Sequence, residues 1–215
     1  MRIICLDLDE AVLDTMNGLF RPVIIRAAEA SGKSVVMATE SIGRVSGITF
    51  TFPAWFADLG LPEVEWAALE VALRVDLAAR APSCLFPGMR QLLEKNKCMG
   101  DRQVLVTAGN LEYQQWKFSL LDLDDIFAEE DRHFVPMNGS KAAAIEPYLA
   151  HGQVTFIDDS PKWHHEVAAR GWPVRCIRTR WPNTTYAAPH IDDGRLWQTA
   201  KTAEELQQLL ERGAA

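Results

Sequence analysis

Two aspartates follow the first apolar segment of the chain, with a single residue between them. Ile3–Leu6 has the continuous apolar character of a buried strand, and Asp7 and Asp9 come directly after it. An ionised carboxylate is costly to remove from water unless a partner neutralises it. The end of this strand therefore needs positive charge nearby, and the rest of the sequence has to supply it.

Two further apolar segments also end in residues that can do chemistry. Val104–Val106 is followed by Thr107, and Val154–Ile157 is followed by Asp158 and Asp159. Strands that are apolar throughout are typical of a sheet covered on both faces, which favours a parallel sheet. Because the carboxyl ends of parallel strands meet at one edge, we expect these side chains to share a crevice with the first two aspartates.

This set of residue types is suited to a phosphate group and a hard cation. Several carboxylates cannot share a dry site alone, and Mg²⁺ typically binds one or two carboxylates together with waters and phosphate oxygens. Thr107 could donate a hydrogen bond to phosphate, and Lys141, upstream of the third apolar segment, could offset its charge. An aspartate can also act as a nucleophile and form an acyl phosphate.

Helix-like segments separate these apolar segments and position their ends. The predicted helices span residues 88–97, 110–121, 140–150, 160–171 and 202–213. In the fourth of them Ser160 suits the N-cap and Pro161 the first helical position. Val174–Ile177 is a weaker candidate for a further strand. The alternation predicts an α/β fold with a doubly wound parallel sheet, Rossmann-like and built of three α/β/α layers.

Residues 16–84 interrupt this alternation. The patterns at 21–30 and 63–80 predict helices, and the second carries a stripe of apolar residues that favours packing inside a helical lobe. The stripe consists of Trp66, Leu69, Leu73 and Leu77. Residues 47–62, rich in aromatic residues and punctuated by proline and glycine, are interpreted as a connector. The sequence thus predicts a small helical domain inserted after the first strand.

Composition and charge restrict the class of protein. The chain has 215 residues, of which 48% are hydrophobic and 24% charged, as in ordinary globular proteins. Its net charge of −7 argues against broad nucleic-acid binding, which needs a basic surface. The longest apolar segments fall short of a membrane span, and residues 2–6 are too short for a signal-peptide core. The four cysteines are scattered, which favours reduced thiols. We therefore expect a cytoplasmic protein with no membrane partner.

Taken in order, the motifs resemble those of the haloacid dehalogenase superfamily, in its phosphatase branch with a helical cap. "DLDEAVLDT" resembles the first motif, an Asp-x-Asp followed by a flap, and "VLVTAGN" resembles the second, an apolar strand ending in Thr or Ser. Lys141 matches the third motif and "FIDDSP" the fourth. Each motif is weak alone, but their order and the cap-sized insertion between the first two make the resemblance specific.

The resemblance implies a role for each site residue. Asp7 would be the nucleophile that attacks phosphorus, and Asp9 the general acid that protonates the leaving oxygen and then activates water. The metal would be Mg²⁺, held by Asp7, the backbone carbonyl of Asp9, Asp158 and Asp159, the last directly or through water. The phosphoryl group would be bound by Thr107, Ala108 and Lys141. The resemblance also implies a core of residues 1–15 and 85–215, with residues 16–84 as the cap.

One position departs from the family pattern. The family usually has Thr or Val two residues after the second aspartate, whereas this chain has Ala11. Alanine lacks a hydroxyl that could help shape the loop, so we expect a looser loop and lower turnover. Glu10, where glycine is frequent in the family, is a smaller departure.

Several residues have a competing structural interpretation. Lys162 is the other lysine that could fill the role of Lys141, and Asp159 could instead cap the helix that follows it. His164 and His165 are adjacent, and a solvated helix face is favoured over a metal site. For the C-terminal aromatics and the arginines and aromatics of the inserted segment, packing or surface positions are favoured over substrate contact. These residues are Trp181, Tyr186, Trp197, Arg21, Arg44, Phe50, Phe52, Trp55 and Phe56.

The leading hypothesis is a Mg²⁺-dependent phosphomonoester hydrolase acting on a small phosphorylated metabolite. A sugar phosphomutase of the same superfamily remains open, because the sequence does not decide whether the phosphoryl group returns to substrate or goes to water. Dehalogenation is disfavoured, since halide departure does not need the acid that Asp9 supplies. The alternative from another class is a weakly active or non-catalytic phosphate-binding regulatory protein, supported by Ala11. Substrate identity and oligomeric state, monomer or homodimer, are not determined by the sequence.

Overall fold

The computed structural model describes residues 1–46, 50–182 and 196–212 of the chain. Within these ranges one sheet has six parallel strands in the order β3-β2-β1-β4-β5-β6. The strands are β1 (Arg2–Leu6), β2 (Arg102–Gly109), β3 (Arg132–Pro136), β4 (Gln153–Asp158), β5 (Arg175–Thr179) and β6 (Gln198–Ala200). The predicted parallel α/β sheet is confirmed. β3 and β6, which the apolar pattern did not predict, are its two edge strands.

Both faces of the sheet are covered, as the apolar strands require. The five helices that flank the sheet are α5 (Met89–Cys98), α6 (Leu111–Ser119), α7 (Lys141–Ile145), α8 (Pro161–Ala168) and α9 (Ala203–Arg212). Ile4 and Leu6 of β1 belong to a core shared with α5, α6 and α9. Ile3 and Cys5 point to the other face, in a second core with α7 and α8. Successive residues of one strand therefore serve the two cores, which gives the three predicted layers.

Residues 16–84 are mostly helical. The first turn is a π-helix, Thr15–Phe20, and it is followed by α1 (Arg21–Ser31), α2 (Val35–Ser46), α3 (Phe52–Leu59) and α4 (Glu63–Arg80). The predictions of α1 and α4 are confirmed, and Leu73 and Leu77 of the apolar stripe are fully buried. Trp66 and Leu69 are partly buried against the same core.

The interpretation of residues 47–62 as a connector is wrong for Phe52–Leu59, because these residues form the helix α3. Thr51 caps this helix by accepting a hydrogen bond from the amide of Ala54, Pro53 lies in its first turn, and Gly60 ends it with φ of +70°. A proline near the start and a glycine at the end are helix boundary signals. The punctuation in this segment therefore delimits a short helix.

The described residues contain no helix that is both long enough and apolar enough to cross a membrane. The four cysteines are free thiols, as expected from their spacing, and Cys5, Cys84 and Cys176 are buried.

Candidate active site

The pairing of β1 with β4 brings three carboxylates together. Leu6 is the register partner of Ile157, so Asp7 and Asp158 leave the sheet side by side. The amide of Asp7 donates to the carbonyl of Ile157 at 2.9 Å, which extends the ladder by one residue. Carboxylate oxygens of Asp7, Asp158 and Asp159 all lie within 4.8 Å of one another. The structure thus places these three predicted residues at one point on the carboxyl edge.

Lys141 lies between two of these carboxylates. It is the first residue of α7, and the hydroxyl of the N-cap residue Ser140 accepts a hydrogen bond from the amide of Ala143. The Lys141 ammonium is 2.8 Å from Oδ1 of Asp7 and 2.7 Å from Oδ2 of Asp158, and its side chain is 1% exposed. The alternative lysine, Lys162, is exposed and its ammonium lies 4.0 Å from the ring centroid of Trp163. Lys141 is the lysine that the fold brings to the site.

The protonation of the cluster shows that it lacks positive charge. Burial raises the pKa of Asp7 to about 7, and although Lys141 lowers it, the charges of Asp158 and Asp9 raise it further. Burial and the charges of Asp158 and Asp7 raise the pKa of Asp159 well above its usual range. For Lys141, burial lowers the pKa, but Asp158 and Asp7 outweigh this and raise it. One ammonium is insufficient for this set of carboxylates.

A divalent cation fits this donor set. The three clustered carboxylates are opposed by the single ammonium of Lys141, so full ionisation leaves an excess of negative charge. Oxygen ligands from one or two carboxylates, completed by waters and phosphate oxygens, are what Mg²⁺ prefers. Asp7, Asp158 and Asp159 are therefore the side chains that could hold a metal.

Asp9 has partners that the sequence did not reveal. Its carboxylate forms an ion pair with Lys117 of α6, and Oδ2 accepts from the side-chain amide of Gln114 at 2.9 Å. Oδ1 also accepts from the hydroxyl of Thr15 at 2.5 Å. Lys117 is 2% exposed and Asp9 28% exposed, so the pair lies at the boundary of the interior. Burial raises the pKa of Asp9, but these three partners lower it below its usual value.

Thr107 and Ala108 lie at the end of β2, beside β1. Thr107 is fully buried, and its hydroxyl has no hydrogen-bond partner among the described residues. A buried hydroxyl without a partner is unusual, because buried polar groups are normally hydrogen-bonded. A ligand oxygen at the site would give it an acceptor. Ala108 lies on the wall of the cavity in front of the strand.

The loop after Asp9 is held by backbone hydrogen bonds. The amides of Val12 and Leu13 both donate to the carbonyl of Leu8, and the indole of Trp181 donates to the carbonyl of Ala11 at 3.1 Å. Glu10 has φ of 55°, a conformation that favours glycine. Its Oε1 accepts from the amide of Met16, and burial raises its pKa to about 7. These contacts support the loop without the hydroxyl missing at Ala11, whose effect on turnover stays a prediction.

At the start of α8, the structure differs from the sequence-based interpretations of Asp159 and His164. Ser160, not Asp159, occupies the N-cap position, so helix capping does not account for Asp159. His164 is fully buried, and Nε2 donates to the carbonyl of Asp158 at 3.0 Å, because a carbonyl can only accept. The expectation of a solvated face is therefore wrong for His164, although His165 is exposed. His164 thus supports the backbone of Asp158 through this hydrogen bond.

The remaining aromatic residues and arginines considered in the sequence analysis lie mainly in packed or surface positions. Trp181 and Trp197 are buried, as are Phe50, Phe52, Trp55 and Phe56, while Arg21 and Arg44 are exposed. Arg44 forms an ion pair with Asp58 at 2.7 Å. Tyr186 lies outside the described residues. Phe50 also lines the cavity, so this one aromatic residue is placed where it can meet a ligand.

A cavity of about 380 Å³ opens in front of Asp9, between residues of the sheet's carboxyl edge and residues of the helical insertion. Its polar end includes Asp9, Glu10, Asp159 and Lys117. Its other walls are mainly apolar. They include Met16, Phe20, Ile42, Phe50, Tyr113 and Met137. The volume is at the lower end of the roughly 300–1,000 Å³ typical of small-molecule sites.

Comparison with solved structures identifies the fold. A protein assigned as a haloacid dehalogenase-like hydrolase from Burkholderia xenovorans LB400 superposes with a TM-score of 0.71 and 15% identity, covering 100% of this chain and 98% of that one. The chain has the haloacid dehalogenase-like fold. No protein-family model and no curated protein matches the sequence. The fold implied by the four motifs is thus confirmed.

Two other solved structures have the same haloacid dehalogenase-like fold. A protein from Thermotoga maritima assigned as a beta-phosphoglucomutase has a TM-score of 0.65 and 17% identity, with 99% of each chain covered. The protein CbbY from Rhodobacter sphaeroides, solved in complex with phosphate, has a TM-score of 0.57 and 18% identity, with 95% of each chain covered. These similarities extend over both the sheet and the helical insertion.

Proposed function

We propose that this chain is a Mg²⁺-dependent phosphomonoester hydrolase that acts on a small phosphorylated metabolite through an aspartyl-phosphate intermediate. The observation that carries the proposal is the position of Lys141, buried between Asp7 and Asp158. At the end of β2, the strand paired with β1, the hydroxyl of Thr107 has no hydrogen-bond partner among the described residues. Phosphoryl transfer depends mainly on positioning and charge stabilisation, and these groups can provide both. The solved structures of this fold described as a hydrolase, a phosphomutase and a phosphate complex support the same chemistry.

Asp7 and Asp9 divide the covalent chemistry. A carboxylate oxygen of Asp7 attacks phosphorus, and the bond from phosphorus to the leaving oxygen breaks while Asp9 gives that oxygen a proton. Asp9, now a carboxylate, takes a proton from water, which attacks the phosphorus of the aspartyl-phosphate. Inorganic phosphate leaves and Asp7 is regenerated. Each group is used twice and returns to its starting state.

The phosphoryl group is held by residues from three elements. Thr107 and Ala108 at the end of β2 and Lys141 at the start of α7 bind its oxygens, the lysine by charge. Asp7, the backbone carbonyl of Asp9, Asp158 and Asp159 would hold Mg²⁺. When bound, Mg²⁺ would reduce the repulsion between the Asp7 carboxylate and the phosphate dianion.

Residues 16–84 are proposed as the cap over a core of residues 1–15 and 85–215. Met16, Phe20, Ile42 and Phe50 of this segment form part of the apolar cavity wall, where a cap would limit the access of bulk water. Exclusion of water strengthens the electrostatic interactions in the site. The proposal includes a cytoplasmic location, for which the four free cysteines are the supporting observation.

The proposal is tested by phosphate release from a panel of phosphorylated metabolites and aryl phosphates. We expect release with Mg²⁺, none with chelator, and none from Asp7→Asn. The non-catalytic alternative predicts phosphate-ester binding without release by the wild type. The phosphomutase alternative predicts isomerised sugar phosphate with little free phosphate, which chromatography of the products distinguishes from hydrolysis.

A further inference from the structure

We infer that the leaving group of the substrate is uncharged and largely apolar, with an aromatic ring or a branched hydrocarbon of similar size. This inference rests on the proposed function and names the substrate class of the same site. It follows from the walls of the cavity beyond the phosphoryl position. Four of the apolar groups there are Phe20, Ile42, Phe50 and Met137.

Aromatic rings form part of this wall. Phe50 contacts Phe20 with ring centroids 5.6 Å apart and Tyr113 with centroids 4.7 Å apart. Phe20, Phe50 and Tyr113 are each more than nine-tenths buried, so their orientations are fixed by packing. Rigid rings around a cavity favour a flat or compact apolar ligand over a flexible, heavily hydroxylated one.

The cavity offers nothing to neutralise an anionic leaving group. Among the described lining residues, Lys117 is the single cation, and its ammonium is already paired with Asp9. Asp9, Glu10 and Asp159 contribute three carboxylates to the cavity lining beside it. A carboxylate or second phosphate on the leaving group would be repelled there.

One polar group among the rings lacks a hydrogen-bond partner within the part of the chain that the structure describes. The hydroxyl of Tyr113 is buried and has no hydrogen-bond partner among the described residues, although the ring lines the cavity. Buried polar groups left without a partner are costly, so this hydroxyl favours a ligand with one polar atom at that position. An apolar leaving group with an ether, carbonyl or hydroxyl oxygen near this hydroxyl fits the aromatic wall.

The test compares esters of primary alcohols, so that intrinsic reactivity stays similar. Phosphate release is measured for benzyl phosphate, glycerol 1-phosphate, phosphoglycolate and phosphocholine. We expect kcat/KM for benzyl phosphate to exceed each of the others by about tenfold or more, since burial of a ring is worth at least that factor. Equal values, or a preference for the glycerol, carboxylate or choline ester, would overturn the inference.

A charge placed in the wall should reverse the preference. Met137 lies on the loop after β3 and lines the cavity, so Met137→Lys should lower kcat/KM for benzyl phosphate and raise it for phosphoglycolate. Met99→Lys, at a side chain that is 51% exposed at the end of α5, is the matched control and should leave the preference unchanged. The inference fails if both variants have the wild-type order of substrates.

A binding measurement separates this inference from the proposed function. Calorimetry of Asp7→Asn with the same four esters reports recognition without turnover. If the wild type releases no phosphate from any ester, the proposed function fails. The inference about the leaving group then stands if benzyl phosphate binds about tenfold more tightly than the others, and falls if it does not.

Discussion

Lys117 on α6 and Asp9 after β1 form an ion pair at the polar end of the cavity. The ammonium is buried and the carboxylate is partly exposed, so Asp9 faces solvent or ligand on one side and a fixed positive charge on the other. Lys117 therefore holds Asp9 as a carboxylate before substrate arrives. That form accepts a proton from water in the second half-reaction, but it has to gain a proton before the first.

Substitution of Lys117 by methionine should shift the pH dependence of turnover. The first step requires protonated Asp9, so kcat/KM falls as pH rises through the pKa of Asp9. Lys117 lowers this pKa, and its removal raises it. The alkaline limb of the kcat/KM profile should therefore move to higher pH. Lys95→Met, at an exposed lysine, is the control. An unchanged limb in Lys117→Met would show that the pair does not set the protonation of Asp9.

Asp9→Asn and Asp158→Asn should have different effects. Asparagine at position 9 keeps the backbone carbonyl that would bind Mg²⁺ but cannot transfer a proton, so turnover of an alkyl phosphate should fall by about 10²–10⁴-fold. The loss should be smaller for an aryl phosphate, whose leaving group needs less protonation. Asp158→Asn should instead raise the Mg²⁺ concentration required. The measurement is Mg²⁺ titration of turnover with both substrates. An equal increase in the Mg²⁺ concentration that the two variants require would contradict the assignment of Asp9 as the proton donor.

Removal of Lys141 should destabilise the metal-free protein. Its ammonium is buried between Asp7 and Asp158, so Lys141→Met leaves two buried carboxylates without their cation. At mildly alkaline pH with chelator, we expect the free energy of unfolding to fall by about 3–5 kcal/mol. Added Mg²⁺ should restore part of this loss. Urea denaturation with the exposed Lys162→Met as control provides the measurement, and equal stabilities of the two variants would refute the role of Lys141.

His164 should make stability depend on pH. Burial lowers the pKa of His164 in the folded protein, although the charge of Asp158 opposes this. The unfolded chain therefore binds more protons below about pH 6.5, and stability is lost as the pH falls through this value. Protonation would also place a proton on Nδ1, which has no hydrogen-bond partner within the described ranges.

His164→Gln should lose less stability on acidification than the wild type, because glutamine does not titrate. Its side-chain amide can still donate to the carbonyl of Asp158. The matched control is His165→Gln, at the exposed neighbour, which should keep the wild-type pH slope. The measurement is the free energy of unfolding in urea across mildly acidic to neutral pH with chelator present. Identical slopes for His164→Gln and the wild type would contradict the prediction.

The sequence predicts those site residues whose position follows from strand ends. Asp7, Thr107 and Asp158 come at the ends of apolar segments. Parallel pairing of the strands brings these ends together, regardless of the conformation of the connecting loops. Lys117 could not be found this way, because its partnership with Asp9 depends on how α6 packs over the sheet. Its spacing of three residues from Gln114 on one helix is a signal, since such residues share a face, but their partner is 105 and 108 positions away.

The burial of His164 and the presence of β3 and β6 were missed for related reasons. Helical periodicity in residues 160–171 is compatible with His164 on either face, and only packing against Trp197 and Phe156 decides it. β3 contains Arg132 and His133, and β6 has three residues, so neither has the apolar run of a central strand. Edge strands are covered less completely, and their sequences are correspondingly more polar.

The central claim is that Asp7 is the nucleophile that accepts the phosphoryl group. It is tested most directly by a crystal structure with Mg²⁺ and beryllium fluoride. We predict beryllium bonded to a carboxylate oxygen of Asp7, with fluorines within hydrogen-bonding distance of the Thr107 hydroxyl and the Lys141 ammonium. An adduct on another carboxylate, or one contacted by Lys162 instead of Lys141, would contradict the account.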